Sequence, residues 1–308
     1  MELIRGHYSL KREHRGCVAT IGKFDGVHLG HQAVLGQVAE KASELNLPAV
    51  IITFEPQPEE FFAPGSAPAR LTRLREKLKA LGRFAVDRVV CLRFNRRLAA
   101  MAAEQFIEQI LIADLGVRYL VVGDDFRFGS NRRGDFAMLE AVGEARGFAV
   151  ARMHTVNIDG NRVSSTRVRD ALEVGDLAMA QKLLGRPYRI SGRVAHGDKR
   201  GRTLGFPTAN IRLHHKALPL SGVYAVEVFG LEHEPRIGVA NVGIRPTVDG
   251  RQALLEVHLF DFAEDIYRRY IHVDFLHKLR EERRFESLDA LQAQIAADVK
   301  AARHFFTA

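Results

Sequence analysis

Short apolar runs alternate with longer segments of helical spacing in the first half of the chain. The runs are rich in β-branched residues, which is typical of buried strands. They cover residues 17–21, 49–54, 88–92, 119–122 and 148–150. Between them, apolar positions at three- and four-residue steps predict helices over residues 30–45 and 104–115. This alternation predicts an α/β domain of Rossmann-like layout, with a parallel sheet whose ligands bind at the carboxyl ends of the strands.

After residue 187 the apolar runs lie closer together, and no helical segment separates them. Strands are predicted over residues 188–194, 223–229, 236–242, 254–260 and 271–275. Such spacing favours an antiparallel barrel or sandwich. A last helix is predicted with Ser287 as its N-cap, and its apolar stripe comprises Leu288, Leu291, Ile295, Val299 and Ala302. We predict two domains, 1–184 and 185–308, with a connector helix that begins near residue 165.

The basic excess of the chain points to anionic ligands. Its 308 residues include 45 Lys and Arg against 37 Asp and Glu, a formal net charge of +8. This balance favours nucleic acid or small phosphorylated ligands, and composition does not choose between them. The two cysteines, Cys17 and Cys91, form no CxxC pair, which predicts a reducing cytoplasm and no disulfide framework. Neither a signal peptide nor a membrane span is expected, because the apolar runs are too short.

The first candidate site is the histidine turn, which we define as residues 22–31, GKFDGVHLGH. It follows the first predicted strand and opens the first predicted helix. Glycines permit close backbone approach, and free N–H groups at a helix start attract anions. His28 and His31 are three residues apart, so on a helical turn they face the same side and can donate hydrogen bonds to phosphate. Zinc is a weaker interpretation, because helical zinc pairs are usually four apart and no Cys or His cluster completes the ligands.

Three further segments extend this first candidate site. Residues 163–169, VSSTRVR, place hydroxyls and two arginines at the start of the connector helix, which suits phosphates or a plain helix cap. Residues 122–129, VGDDFRFG, follow the fourth predicted strand, and their rings either stack on a flat ligand or fill the core. Residues 53–62, TFEPQPEEFF, follow the second strand, and their prolines and phenylalanines suit the wall of an apolar pocket.

The second candidate site lies in the C-terminal half. Residues 191–205 are glycine-rich and basic without the Walker A spacing, so they form either a polyphosphate loop or an exposed hairpin tip. Thr208 and Asn210 are two apart, so on an extended segment their oxygens point the same way, as suits Mg²⁺. Glu256 interrupts the apolar run 254–259, where it is either a general base for phosphoryl transfer or a solvent-facing strand residue.

The motifs of the first site resemble a known enzyme family. The HxGH string at 28–31 together with SSTxxR at 164–169 resembles the paired motif of the nucleotidylyltransferases. The fuller strings GKFDGVHLGH, TFEPQP and GDDFRFG resemble the FMN adenylyltransferase module of prokaryotic bifunctional FAD synthetases. The resemblance implies transfer of AMP from ATP to the phosphate of FMN, with release of pyrophosphate and without a protein nucleophile.

The same resemblance implies a role for individual residues of this chain. The residues implied to hold the ATP phosphates during the reaction are His28, His31, Ser165 and Arg169. Further implied ATP-binding positions are Gly22, Phe24, Asp25, Gly26, Gly30, Ser164 and Thr166. The implied flavin-binding positions are Phe54, Pro56, Pro58, Phe62, Asp125, Phe126 and Phe128.

The motifs of the second site resemble riboflavin kinase. The likeness covers the string GDKRGRTLGFPTAN at 197–210 and residues 241–247, 256–258 and 279–285. It implies a six-stranded barrel with a terminal helix, Glu256 as base for the riboflavin 5′-hydroxyl, and Mg²⁺–ATP at Thr208 and Asn210. The implied ATP or flavin contacts are Gly197, Lys199, Gly201, Gly205, Phe206, Pro207 and Arg280. Where the family usually has glycine this chain has Arg268, which leaves the geometry of that turn open.

Together the resemblances predict a bifunctional transferase that converts riboflavin to FMN and FMN to FAD. Its implied partners are riboflavin, FMN and ATP, with Mg²⁺ as cofactor and with neither nucleic acid nor membrane. One alternative is a nucleotidylyltransferase for another phosphate ester, with a degenerate barrel. The other is a nucleic-acid-binding protein, which is disfavoured because many basic residues lie beside acidic ones, as in 280–284.

Overall fold

The computed structural model shows a chain folded into two compact units. It describes residues 1–123, 125–153, 155–196, 205–213, 217–247 and 250–308. The first unit comprises Met1–Pro68 and Leu74–Ser164, and the second comprises Ala69–Arg73 and Ser165–Ala308. The connector helices therefore belong to the second unit.

The first unit contains a six-stranded parallel sheet of order β1-β4-β3-β2-β5-β6. Its strands are β1 Glu2–Arg5, β2 Cys17–Ile21, β3 Ala49–Glu55, β4 Arg88–Arg93, β5 Val117–Gly123 and β6 Ala149–Met153. The five predicted strands and the parallel sheet are confirmed. The edge strand β1 was not predicted, because it is only four residues long and buries only Ile4.

Helices cover the sheet of the first unit. They are α1 Leu29–Leu45, α2 Pro58–Phe62, α3 Leu74–Leu81, α4 Arg96–Ala99, α5 Ala103–Phe106 and α6 Phe136–Arg146. The predicted helix over 104–115 is confirmed as helical, but after α5 it continues as a π-helix, Ile107–Asp114. Short 3₁₀ turns lie at His7–Ser9, Arg12–His14 and Ser130–Arg132, and β7 Asn157–Ile158 pairs with β8 Asn161–Arg162.

The strand order places the histidine turn at the switch point of the sheet. β2 is buried at all five residues and lies between β3 and β5. The chain runs from β2 to β3 and β4 on one side before it crosses to β5 on the other. Ligands of open parallel sheets bind beyond the carboxyl ends of the strands at such a point. The turn between β2 and α1 is therefore the expected place for a nucleotide.

The second unit contains a closed antiparallel barrel of order β10-β13-β12-β11-β14-β9. Its strands are β9 Tyr188–Ala195, β10 Ala209–Arg212, β11 Gly222–Phe229, β12 Arg236–Thr247, β13 Gly250–Leu259 and β14 Tyr270–Arg280. The structure thus selects the barrel over the sandwich and confirms the five predicted strands. The sixth strand, β10, is short and was treated only as an extended segment.

Three helices accompany the barrel. They are α7 Ser165–Val174, α8 Leu177–Leu184 and α9 Leu288–Thr307. The predicted cap of α9 is confirmed, because the Ser287 hydroxyl accepts a hydrogen bond from the Ala290 N–H at 3.1 Å. Only the later part of its apolar stripe packs well, since Ala302 is buried whereas Leu288 is 69% exposed. Within the described residues, no helix combines the length and the apolar composition needed to cross a membrane.

Candidate active sites

The backbone of the histidine turn adopts conformations that local sequence does not favour. Phe24 and Val27 have φ values of 49° and 47°, and Gly26 has a φ of 82°. Left-handed backbone at residues other than glycine costs about 1–3 kcal/mol and persists only where surrounding structure enforces it. The Phe24 and Val27 side chains are 1% exposed and pack in one core cluster with Leu35 of α1. Burial of these two side chains therefore helps to hold the turn in shape.

The two histidines of the turn lie face to face. His28 is the N-cap of α1, and its Nδ1 accepts a hydrogen bond from the His31 N–H at 3.3 Å. The two rings stack with centroids 3.7 Å apart, which confirms that they face the same side. A Cβ at Gly30 would lie 3.2 Å from the His28 ring and 3.4 Å from the Val163 carbonyl oxygen. Glycine is therefore the residue that fits closely beside this pair.

The environment keeps His31 neutral. The pKa of His31 is held well below 6.5, first by burial and then by electrostatic interaction with the ionisable side chains of His28, Lys77 and Lys23. A neutral imidazole keeps one N–H donor and one acceptor nitrogen. The Nδ1 of His31 is buried and has no hydrogen-bond partner among the described residues. A ligand group at this nitrogen would satisfy it.

Two other buried polar atoms that lack a partner among the described residues belong to the segment after β3. They are the Nε2 of Gln57 and the Oε2 of Glu59. The other oxygen of Glu59 lies 2.5 Å from the Nζ of Lys23, so this segment reaches the histidine turn. Buried polar atoms are nearly always hydrogen-bonded in folded proteins, so these atoms are available to hydrogen-bond a ligand at this end of the sheet.

Four phenylalanines form an aromatic cluster at the carboxyl ends of β3 and β4 and in α2. Phe94 lies at its centre, with ring centroids 5.9 Å from Phe54, 5.5 Å from Phe61 and 5.7 Å from Phe62. Phe62 is 67% exposed, which leaves an apolar ring facing solvent. Sequence reasoning singled out Phe54 and Phe62 but missed Phe94, because Phe94 follows β4 outside any quoted motif.

The remaining predicted flavin contacts divide into surface and core positions. Pro56 lies at the end of β3 and Pro58 begins α2, where a proline is well tolerated. Phe126 and Phe128 stack with ring centroids 5.4 Å apart, yet Phe128 is only 8% exposed and packs in the sheet core.

Asp125, another predicted flavin contact, is paired with Arg162. The Arg162 guanidinium, 2.6 Å from Asp125, holds the pKa of that carboxyl below its usual range.

The second phosphate motif spans the junction of the two units. Ser164 is the last residue of the first unit, and Ser165 begins α7 in the second. Thr166 and Arg169 lie in the first turns of α7, and the Arg169 Nε donates a hydrogen bond to the Ala69 carbonyl oxygen at 2.6 Å. Their roles at the phosphates stay predictions.

In the barrel, strand register aligns three polar side chains. Glu256 of β13 lies opposite Asn210 of β10 on one side and Asn241 of β12 on the other. Residues directly paired across antiparallel strands share a face, so the three form one polar row. Glu256 is half-buried while its neighbours Leu255 and Val257 are buried, which confirms the predicted alternation.

Contacts with β13 hold the segment that contains Thr208. The His258 Nδ1 lies 2.9 Å from the Pro207 carbonyl oxygen, and the Phe206 ring meets the His258 ring edge-on at 5.5 Å. Beside this segment is a cavity of about 360 Å³, lined by Pro207 and Thr208 and by the stretch from Phe262 to Tyr267. That stretch was not among the predicted site residues, although its last three residues precede the position where the family usually has glycine.

Of the other predicted kinase positions, the structure describes Gly205 and Arg280. Gly197, Lys199 and Gly201 lie outside the described residues, whereas Gly205 is described with a φ of 84°. The Arg280 guanidinium donates bidentate hydrogen bonds to the buried carboxylate of Asp298 in α9, at 2.8–3.1 Å. Arg280 thus links β14 to the terminal helix.

The backbone at Arg268 explains why glycine suits this position, which ends the turn after residue 265. Arg268 has a φ of 67°, in the left-handed region. Its N–H donates to the Val194 carbonyl oxygen at 2.9 Å, and its own carbonyl oxygen accepts from Arg193. The turn therefore forms with arginine in place, at the cost of strained backbone.

The donor chemistry beside Glu256 suits a hard cation. Among the described residues, no group of three or more His, Cys, Asp and Glu side chains is placed to hold a metal ion. The predicted ligands Thr208 and Asn210 offer neutral oxygens instead, and both are half-buried. Mg²⁺ prefers oxygen ligands and keeps several waters and phosphate oxygens, so a small protein contribution fits it.

Comparison with known proteins assigns the chain to a family. A family model described as FAD synthetase matches residues 10–167, and one described as riboflavin kinase matches residues 184–306. The chain is 55% identical to a bifunctional riboflavin kinase/FMN adenylyltransferase of Pseudomonas fluorescens, over 98% of this chain and 97% of that protein. It is 54% identical to the protein of that description in Escherichia coli K12, over 99% and 98%.

The fold itself also has a solved counterpart. A crystal structure described as a macrolide-efflux protein from Streptococcus pneumoniae superimposes with a TM-score of 0.84. It is 31% identical and covers 98% of this chain and 99% of its own. The two family matches lie in the order that the motifs predicted, and the relatives cover nearly the full length. The chain therefore belongs to the family of bifunctional riboflavin kinase/FMN adenylyltransferases.

Proposed function

We propose that each reaction of the family has its own site here, FMN formation in the barrel and FAD formation at the histidine turn. The observation that carries this assignment is the buried His31 Nδ1 at the switch point of the sheet, which stacks beside His28 and has no hydrogen-bond partner in the part of the chain that the structure describes. Residues 1–184 are assigned to adenylyl transfer and residues 185–308 to the kinase.

In the kinase step Glu256 is the general base. It accepts the proton of the riboflavin 5′-hydroxyl as that oxygen attacks the γ-phosphorus of ATP, and ADP leaves. Asn210 and Asn241 flank Glu256 in the polar row and orient the reacting groups. The cavity lined by Thr208 and residues 262–267 is the place for ATP.

Thr208 and Asn210 would hold Mg²⁺ together with the ATP phosphates. The ion would neutralise charge on those phosphates when bound. The residues themselves position ATP relative to Glu256, because Thr208 lies in the segment tied to His258 and Asn210 pairs directly with Glu256.

In the adenylyl transfer step a phosphate oxygen of FMN attacks the α-phosphorus of ATP, and pyrophosphate leaves. No protein nucleophile takes part, so the chain supplies position and charge stabilisation. His28 and His31 donate ring N–H groups to phosphate oxygens, and the likeness of the SSTxxR string to the family motif assigns Ser165 and Arg169 to ATP phosphates. The aromatic cluster around Phe94 and the exposed part of Phe126 flank the isoalloxazine ring.

The cysteines support a reducing compartment. Cys17 and Cys91 form no disulfide and are both buried, and burial raises the pKa of Cys17 to about 12, which keeps its thiol protonated. We therefore place the protein in the cytoplasm.

The test is a direct assay of the purified full-length chain. Incubation with riboflavin, ATP and Mg²⁺ is expected to yield FMN first and then FAD, separated by chromatography. Omission of Mg²⁺ with added chelator is expected to stop FMN formation. FMN as the end product, without FAD, would contradict the assignment of the histidine turn.

A further inference from the structure

One buried charge of the first unit has no part in the proposed steps. Lys77 of α3 is fully buried, whereas Lys79 on the same helix is exposed. Lysine is almost never fully buried unless its ammonium is paired, because removal of the charge from water is costly. The contacts of the Lys77 ammonium inside the unit therefore need a reason.

The Lys77 ammonium is bonded to the backbone of the histidine turn. Its Nζ donates to the Lys23 carbonyl oxygen at 2.5 Å. The hydroxyl of Thr53, in β3, approaches the same oxygen at 3.4 Å. A hydrogen bond from a charged donor is roughly twice as strong as a neutral one, so Lys77 is the main anchor of this carbonyl. The turn is thus attached to α3 and, more weakly, to the sheet.

The anchored carbonyl belongs to the peptide that precedes Phe24. The plane of this peptide sets the φ angle of Phe24, which is 49°. The Phe24 ring lies 4.9 Å from the His31 ring. A change in the Lys23–Phe24 peptide would therefore be transmitted to the histidine pair through Phe24.

The charge of Lys77 also acts on His31. It is one of three neighbouring cationic or ionisable groups, with His28 and Lys23, that add to the effect of burial in lowering the pKa of His31. Loss of the Lys77 charge would move this pKa upward. A residue that only filled space would leave it in place.

We propose that Lys77 is a positioning residue for adenylyl transfer, whose buried ammonium fixes the Lys23–Phe24 peptide and thereby orients His28 and His31 toward the ATP phosphates. This inference rests on the proposed function of the histidine turn. Lys77 itself touches the backbone of the turn and acts through it.

The main test is Lys77→Met in the full-length chain, with Lys79→Met as the matched control on the same helix. A misplacement of catalytic groups by about 1 Å lowers the rate about 100-fold. We therefore expect kcat for FAD formation from FMN to fall about 100-fold in Lys77→Met, and KM for ATP to change by a smaller factor. FMN formation by the same sample is expected to stay at the wild-type rate, as an internal standard. Lys79→Met is expected to leave both activities unchanged.

A spectroscopic readout separates positioning from packing. In a chain with labelled histidines, NMR titration is expected to show a higher His31 pKa in Lys77→Met and an unchanged one in Lys79→Met. Lys77→Gln keeps an N–H donor near the Lys23 carbonyl without the charge. It is expected to recover part of kcat while the His31 pKa remains raised.

Thermal unfolding shows whether the first unit of Lys77→Met folds. If it does not, Lys77→Gln and Thr53→Val test whether contacts to the Lys23 carbonyl oxygen affect catalysis. Both variants are expected to lower kcat for FAD formation, Thr53→Val by the smaller factor. Wild-type kcat in a folded Lys77→Met chain, or in both of these variants, overturns the role of Lys77. Undiminished FAD formation by His28→Ala would instead reject the proposed function of the turn itself.

Discussion

The two candidate sites hold their polar side chains by different means. In the histidine turn, His28 and His31 depend on backbone that is strained at Phe24 and Val27 and is supported by burial behind it. In the barrel, the polar row of Asn210, Glu256 and Asn241 lies on paired, extended strands, half-buried at the surface. The first site is therefore set by tertiary packing and the second by strand register. Changes behind the histidine turn should reach its chemistry, whereas the barrel site should respond mainly to the residues in the row.

The largest expected effect is at Glu256. Glu256→Gln removes the base but keeps the shape, so FMN formation should fall by about 10²–10⁴-fold, the usual contribution of a general base. FAD formation from supplied FMN should not change. Glu227→Gln, a half-buried glutamate on strand β11 of the same barrel, is the matched control and should retain both activities. A parallel loss of both activities in folded Glu256→Gln would show that the two sites are not separate.

His28→Ala should give the opposite result. Loss of one preorganised donor to developing charge costs about 10²–10³-fold, so FAD formation from FMN should fall by that factor. FMN formation from riboflavin should continue. His7→Ala, which removes a histidine paired with Asp114 in the same unit, is the control for histidine loss. Equal rates of FAD formation in His28→Ala and His7→Ala would contradict the assignment.

The neutral His31 predicts a pH dependence of stability in the first unit. Because its folded pKa lies well below 6.5, the unfolded chain binds a proton as the pH falls below 6.5 while the folded chain does not. The free energy of unfolding should therefore decrease in that range, by at most about 1.4 kcal/mol per pH unit for one group. His31→Gln should flatten this slope in pH-dependent thermal unfolding, and the exposed His304→Gln should not. If the free energy of unfolding had the same pH slope in the wild type, His31→Gln and His304→Gln, the prediction for His31 would be wrong.

The smallest expected effect is at the turn of the barrel where Arg268 has a φ of 67°. Arg268→Gly should relieve left-handed strain and stabilise the second unit by about 1 kcal/mol. Arg212→Gly, in the extended strand β10, should instead destabilise it, because glycine loses more entropy there. The unfolding midpoint of the second unit measures both changes. A lower midpoint for Arg268→Gly would show that the arginine side chain contributes more than the strain costs.

Much of the fold followed from periodicity, because buried strands and amphipathic helices repeat their apolar positions. The missed strands β1 and β10 have four residues each, too few to show a period. The π-helix of residues 107–114 could not be foreseen, since the same apolar spacing also suits an α-helix. In the barrel site, strand alternation alone gave the correct face of Glu256.

The histidine turn was harder to predict beyond its motif. The spacing of the histidines predicted their shared side, but no local signal places Val27 at a positive φ or Lys77 in the interior. Lysine on a short helix normally points to solvent, and only the tertiary structure shows that the Lys77 ammonium meets the Lys23 carbonyl. The aromatic contribution of Phe94 likewise depends on β3 and β4 being neighbours in the sheet.

The most direct test of two separate sites is complementation between two chains that are each impaired in one reaction. Glu256→Gln alone and His28→Ala alone should each form FAD from riboflavin at least about 100-fold more slowly than the wild type, the first because FMN forms slowly and the second because adenylyl transfer is slow. A mixture of the two, supplied with riboflavin, ATP and Mg²⁺, should form FAD after a lag as FMN accumulates. A mixture that accumulates FMN and never forms FAD would contradict the account.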